Sequence, residues 1–198
     1  MPKQQPPMPK HDPPMHLHGF FVVQRFALFT HRYEIRAVGP DGGHGELIAM
    51  AQRKRLRLRE HVRFYADEAR TRPVFSFKGR QVVNVAVGYD VFDERGDAIA
   101  YFQKDFGRSL VRPTVRLSAP YLNAVGQERN EIVALARRFL FLPLAYQMDF
   151  GEAGFHTMTI DREFALLDRY TVTVPDRRLD FRVAAAMAVA LRRLMRWW

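Results

Sequence analysis

The chain has 198 residues, 47% of them hydrophobic and 13% aromatic, which is enough apolar mass for one substantial core and too much for global disorder. It is too short for two full domains. Thirty-one Lys and Arg against 21 Asp and Glu leave a formal charge of +10, which favours an anionic partner such as a phospholipid surface, a nucleic acid or a phosphorylated ligand. Cys is absent, and that excludes disulfides, thiolate metal sites, a Cys nucleophile and palmitoylation.

Six of the twelve prolines fall in the first 14 residues, in a stretch with no apolar run. It is not a signal peptide. Proline fixes φ and removes backbone donors, so residues 1–18 are expected to form a disordered, solvated tail ahead of a single domain spanning 19–198. His16 and His18 could supply two ligands to a metal, but no third is near in sequence, and no metal site or cofactor is expected.

From residue 19 onward the pattern is strand after strand. Segments 20–26, 33–38, 47–52, 61–65, 74–78, 83–92 and 98–103 are rich in Val, Ile and aromatics, with turn residues between them, notably 39–43 and 93–97. The alternation of strand and helix that a doubly wound sheet requires is missing, as is a Gly-rich turn between a strand and a helix. Dinucleotide and P-loop readings fall away.

One unit recurs. Tyr33-Glu-Ile with Asp41 and Gly42, Tyr89-Asp-Val with Gly96 and Asp97, and Tyr146-Gln-Met with Gly151 and Gly154 each read as a tyrosine strand, a turn and an apolar strand. The tyrosines are 56 and 57 residues apart, which predicts repeated hairpins within one sheet or barrel.

Two segments break the strand pattern. Over 128–142, Ile132, Leu135, Ala136 and Phe139 recur at helical spacing and predict a surface helix stopped by Pro143. A second helix begins at or just before Asp180 and includes 183–191, nine residues with no polar side chain. A helix apolar on every face is buried, and nine residues fall well short of the roughly 20 that cross a bilayer. About ten to twelve strands would close a barrel wider than side chains alone can fill, and this helix, narrowed by Ala184, Ala185, Ala186, Ala188 and Ala190, suits its axis. A β-sandwich would leave the helix without a burial site. The expected fold is therefore mainly β, a closed antiparallel barrel around a central, buried C-terminal helix.

The residues Phe21-Val-Val-Gln-Arg-Phe, Tyr33-Glu-Ile, Phe64-Tyr-Ala-Asp, Val74-Phe-Ser-Phe-Lys, Tyr89-Asp-Val-Phe-Asp, Ile99-Ala-Tyr-Phe-Gln-Lys and Asp168-Arg-Tyr-Thr-Val-Thr-Val, with the final Ala-rich helix, resemble the LURP-one-related family. That group is akin to phospholipid scramblases within the tubby C-terminal-like superfamily. The resemblance spans roughly 19–196 and implies a barrel of twelve strands around a C-terminal helix. Tubby domains bind phosphoinositides, and scramblase-like proteins are associated with membranes and calcium, so it also implies a lipid partner. The chain departs from the scramblases before the helix, where Arg177 and Arg178 stand among Asp176 and Asp180, and in lacking Cys. Both departures argue against calcium-dependent scrambling.

The strongest candidate site is the run from Gln52 to Arg59. In an extended strand Arg53, Arg55, Arg57 and Arg59 share one face, opposite Lys54, Leu56 and Leu58, and guanidinium forks match phosphate oxygens. Arg63, Lys78 and Arg80 extend that patch if their strands neighbour it. The bland alternative is a solvated outer face. A second candidate is the chain end, where Arg192, Arg193 and Arg196 precede Trp197 and Trp198. This pairing suits a membrane interface, or else a barrel cap with arginines at the helix C-terminus. Ser76, Ser109 and Ser118 lack a triad setting, His31, His44, His61 and His156 are scattered, and Asp149, Asp161 and Asp168 read as turn and strand-end residues. The expectation is a non-enzymatic, monomeric, cytoplasmic protein, peripheral at membranes, that binds anionic phospholipid or phosphoinositide headgroups. The alternatives are a nucleic-acid-binding module, though the 52–59 strand offers leucines rather than aromatic platforms, and an intracellular scaffold.

Overall fold

The computed structural model describes residues 14–25, 30–54, 61–81, 87–105, 113–130, 145–163, 167 and 169–195, with the backbone alone for 30, 31, 52–54, 81, 87 and 192. Twelve strands follow in chain order: β1 Gly19–Arg25, β2 Thr30–Val38, β3 His44–Lys54, β4 His61–Tyr65, β5 Pro73–Gln81, β6 Val87–Asp93, β7 Ala98–Lys104, β8 Thr114–Ala119, β9 Leu122–Glu128, β10 Tyr146–Glu152, β11 Phe155–Arg162 and β12 Arg169–Thr173. Each pairs antiparallel with its neighbours in sequence, and β1 pairs with β12 to close the barrel. Closure removes the free edges of the sheet, with β3 and β4 joined over the shortest described register, Met50 to Tyr65 and Ala51 to Phe64.

The strands obey a period of two because one face is sealed. In β9 and β10 alternate residues are buried, and Leu122, Ala124, Met148 and Phe150 join the interior cluster. One helix among the described residues, α1 Phe181–Leu194, fills the axis. Its residues 181–191 are buried on all sides, including Ala184, Ala185, Ala186, Ala188 and Ala190. The size match is direct: the barrel supplies the bulk and the helix supplies methyl groups. Phe20 and Phe75 meet Phe181 edge-on at 6.3 Å, Phe64 stacks on Phe75 at 4.3 Å, and Phe77, Tyr89 and Phe102 form a further aromatic chain.

Up-and-down order gives the barrel two distinct ends. The turns that follow β2, β4, β6, β8 and β10, and the entry into α1 after β12, gather at one end, here the turn end. The odd-numbered strands run toward the opposite end, where α1 finishes, here the exit end. The three recurring tyrosines sit on β2, β6 and β10, four strands apart, and all are buried. Each is followed by a turn glycine with positive φ: Gly42 at 79°, Gly96 at 91° and Gly154 at 88°. Those turns require a residue without a Cβ penalty, which accounts for the recurrence in the sequence.

Two expected boundaries change. The tail does not extend to His18: the Met15 N–H donates to Asp180 Oδ2 at 3.0 Å, and the Met15 and His18 carbonyls accept from Phe181 and Val174 at 2.8 and 2.7 Å. These bonds lay residues 15–18 across the entry to α1. Nor does a helix begin at Glu128, which closes β9 opposite Met148. Residues 131–144, where the remainder of that expected helix falls, lie outside the described residues, as does part of the expected 83–92 strand.

Candidate anion-binding face

Of the predicted basic run, Arg53 and Lys54 end β3, in register with His31 and Thr30 of β2, while Arg55, Arg57 and Arg59 lie outside the described residues. β3, β4 and β5 are successive neighbours, so Arg63 and Lys78 do belong to adjoining strands. Both are exposed on the outer face, Arg63 opposite Ser76 and Lys78 opposite His61. Among the described residues neither has an ion-pair partner. Arg80 is different. Its fork meets Asp90 at 2.7 and 2.6 Å, and its guanidinium lies 4.3 Å from the centre of the Tyr101 ring. Gly88 allows this, because a Cβ there would stand 2.3 Å from the Tyr101 hydroxyl. Lys78 is also in register with Asp90, but that carboxylate is engaged by Arg80.

The structure adds cations that sequence reasoning missed. Glu34, on the outer face of β2, is surrounded by three guanidinium groups: Arg25 Nε at 3.1 Å, Arg32 Nε at 3.3 Å and Arg36 Nε at 3.0 Å. The Glu34 side chain is only 7% exposed, whereas those of Arg25 and Arg32 are 46% and 31% exposed. Burial alone would raise the Glu34 pKa, but bonds from Arg25 and Arg36 outweigh it and hold the carboxyl below its ordinary value. Arg25 and Arg32 are directly opposite each other, and exposed Arg169 of β12 faces Val23 of β1. Described cations therefore lie on the outer faces of β12, β1 and β2 and, beyond β3, of β4 and β5, a discontinuous cationic band. A signal existed for part of it, since Arg32, Glu34 and Arg36 alternate with apolar residues, but the neighbouring strands were not legible.

The second predicted candidate lies at the exit end. Arg193 is exposed in the last turn of α1, where positive charge complements the helix dipole. The Arg192 side chain, and Arg196, Trp197 and Trp198 entirely, lie outside what is described. Lys54 also ends its strand at this end, so chain topology directs both candidates to one side of the barrel. Inside that end the apolar core gives way to a polar layer containing Gln24, Lys104, Glu128 and Tyr170, all buried. Tyr170, Arg162 and Tyr146 are in successive register across β12, β11 and β10, with the Arg162 guanidinium 5.8 Å from the Tyr146 ring centre.

The turn end carries the opposite balance. Arg182, buried, is held by Asp180 through Nε and Nη2 at 3.0 and 2.8 Å, and by Glu94 at 2.8 Å. Arg178 is held between Asp176 and Glu152, both at 2.8 Å. Arg95 lies 3.6 Å from Asp93 and 3.9 Å from Asp97. Each arginine thus stands between two carboxylates. These pairs tie down the segment leading into α1, with the carboxylates of Asp176 and Asp180 engaged by Arg178 and Arg182. Among the described residues no group of three or more His, Asp or Glu is placed to hold a metal.

Of the histidines and carboxylates weighed for catalysis, Asp149, His156 and Asp161 come together on β10 and β11, where the Thr159 hydroxyl meets both Asp149 Oδ1 at 2.9 Å and His156 Nε2 at 3.0 Å, while His44 lies apart. His44 packs on Phe21 at 4.6 Å. Asp149 bonds Arg129 at 2.6 and 2.7 Å and accepts from Thr159 at 2.9 Å. Asp161 is pushed upward in pKa by burial and by the Asp149 charge, against the pull of Arg129. Ser118 bonds Asn123, and Ser76 faces Arg63. Asp168 and Ser109, and the His31 side chain, lie outside the described residues.

In comparisons with known proteins, no family model, no curated protein and no solved structure matches this chain.

Proposed function

We propose that this protein is a non-enzymatic barrel of the LURP-one-related type that binds anionic phospholipid headgroups, phosphoinositides included, with the cationic band of β12 to β5 and the basic exit end. The observation that carries the reading is the set of three guanidinium groups around Glu34, where positive charge exceeds its local compensation. Arg169 on adjoining β12, and Arg63 and Lys78 on β4 and β5 beyond β3, continue the excess. Guanidinium forks suit phosphate oxygens, and each basic residue near an anionic leaflet contributes on the order of 1 kcal/mol. Arg80 acts in this scheme as a support, its charge engaged by Asp90, rather than as a ligand. Among the described residues no helix is long and apolar enough to cross a membrane. The association is therefore proposed to be peripheral, on the cytoplasmic leaflet, with headgroup contact in place of helix insertion.

The test is sedimentation with neutral and anionic vesicles, beside binding to DNA and RNA, across a salt series. The expected result is co-sedimentation with anionic vesicles alone, weakening as salt rises. Replacing Arg63, Lys78 and Arg169 of the band together with Arg53, Arg55, Arg57 and Arg59 of the exit end with Gln should abolish it while the far-UV spectrum stays unchanged. Preferential retention on nucleic acid would assign the same arginines to that alternative. Loss of both kinds of binding near physiological salt would leave the scaffold reading.

A further inference from the structure

At the turn end, where α1 enters the barrel, lies a cleft of about 310 Å³. Its walls are the 93–97 turn, the 119–121 turn and the 178–183 segment, with Pro14 closing one side. The lining is part apolar, from Ile99, Ala119, Pro120 and Val183, and part charged. Tyr121, at the rim, is 60% exposed, one of four large apolar residues left so open among the described residues. Six carboxylates stand around three arginines at this end, and of these Asp93, Asp97 and Asp180 line the cleft beside Arg95, Arg178 and Arg182, so its lining is charge-balanced. Asp97 is the most available of the six: its side chain is 74% exposed and its nearest guanidinium nitrogen is 3.9 Å away.

We infer that this cleft is the docking site of the chain's own leader, residues 1–13, held in the cleft by proline stacking on Tyr121 and by lysine pairing with Asp97. Three features of the molecule select that occupant. The leader starts at the wall of the cleft, because Pro14 lines it and Met15 is fastened to Asp180 and Phe181 by backbone bonds. A ligand tethered at the rim has an effective concentration in roughly the millimolar range, so a weak contact suffices. The leader offers Lys3 and Lys10 against Asp12 alone, with His11 beside them, and Asp97 is the exposed carboxylate of the cleft wall. Five of its thirteen residues are proline. Proline-rich segments lose little entropy on docking and are recognised by exposed aromatic rings beside shallow apolar walls. In a polyproline II conformation, at about 3.1 Å per residue, Lys10 reaches roughly 12 Å from Pro14, far enough to cross a cleft of this size.

The site is independent of the lipid-binding face, which occupies other strands and the other end. Its test uses the full chain. Because Cys is absent, Gln4→Cys gives a single position for a nitroxide label. Amide broadening is then read at Ile99 and Tyr121 and at control positions on the far side of the barrel. The expected result is strong broadening at the cleft that falls roughly threefold or more in 0.5 M NaCl, where charge pairing is screened. It should fall similarly in the Asp97→Lys and Tyr121→Ala variants. Both substituted side chains are largely exposed, and the spectrum itself reports folding. Pairing Asp97→Lys with Lys10→Glu should restore the broadening. A profile that is the same in wild type, variants and high salt would overturn the inference. So would broadening that appears only when labelled protein is mixed with a second, isotopically labelled copy, since the occupant would then be another molecule.

Discussion

The outer face of β1 and β2 and the turn end of the barrel use the same residue types in opposite proportion. On the first, three arginines share Glu34, and among the described residues only Arg32 reaches a further carboxylate, Glu68. At the second, Arg95, Arg178 and Arg182 each stand between two carboxylates. Net charge alone would not separate them, since a guanidinium bracketed by acids presents little field to an anionic partner whereas one sharing its acid does. Pairing, rather than the number of arginines, decides which surface attracts phosphate.

The largest way to break the comparison is to remove the element that joins the two regions. A chain ending at Arg182 should fail to fold. The side chains of Val183, Met187, Val189, Leu191 and Leu194 contribute about 1.5–3 kcal/mol each, a sum comparable to the roughly 5–15 kcal/mol of net stability that a domain has. A cooperative thermal transition in that truncation would refute the helix as an essential plug. Next in size is Asp180→Ala. It removes the α1 N-cap, the Met15 contact and the bidentate partner of a buried guanidinium, and should lower stability by about 3–5 kcal/mol in urea titration. Loss of under about 1 kcal/mol would mean that Glu94 alone can hold Arg182.

Glu34→Gln should cost less, about 1–2 kcal/mol, because its arginines are partly solvated. It should also strengthen co-sedimentation with anionic vesicles by releasing three guanidinium groups, and weakened sedimentation would place the lipid site elsewhere. The pH dependence has a definite sign. The folded pKa of Glu34 is held below its ordinary 4.5, so its contribution is fully present above that value and is lost as pH falls through the lowered folded value. Urea midpoints should decline on acidification below about 4.5, and less steeply in Glu34→Gln. Asp161 supplies the smallest effect and the reverse sign. Its pKa is raised in the fold, so the carboxylate weakens the native state at neutral pH. Asp161→Asn should raise the midpoint slightly at pH 7 and lose that advantage in acid.

Much of the architecture was readable along the chain. The strand at 61–65 falls where the alternation puts it, and the all-apolar stretch from Val183 to Leu191 lies within α1, capped at Asp180. Both signals are local, with a period of two in the strand and an unbroken apolar run in the helix. The candidate site was less readable. The sequence points to Arg63 and Lys78 but not to Arg25, Arg32, Arg36 and Arg169, because these are divided among β1, β2 and β12, the last far along the chain from the first two. Their common face exists only once β1 pairs with both β2 and β12. Residues 15–18 were assigned to the tail for the same reason: Met15 finds its partner 165 residues away in Asp180.

The amino-acid sequence by itself determined that the chain would be strand-rich, strongly basic, free of cysteine chemistry and built around one helix apolar on every face. These properties depend on residue type and short-range periodicity, which do not change when the chain folds. Tertiary structure alone decided which charges are engaged. Arg182 meets Glu94 across 88 residues, and Arg80 meets Asp90 so that Lys78 does not. An ion pair's strength falls with distance and with solvent between the charges, so among the described residues arginine forms a neutralised lattice at one end of the barrel and an under-compensated group on its side.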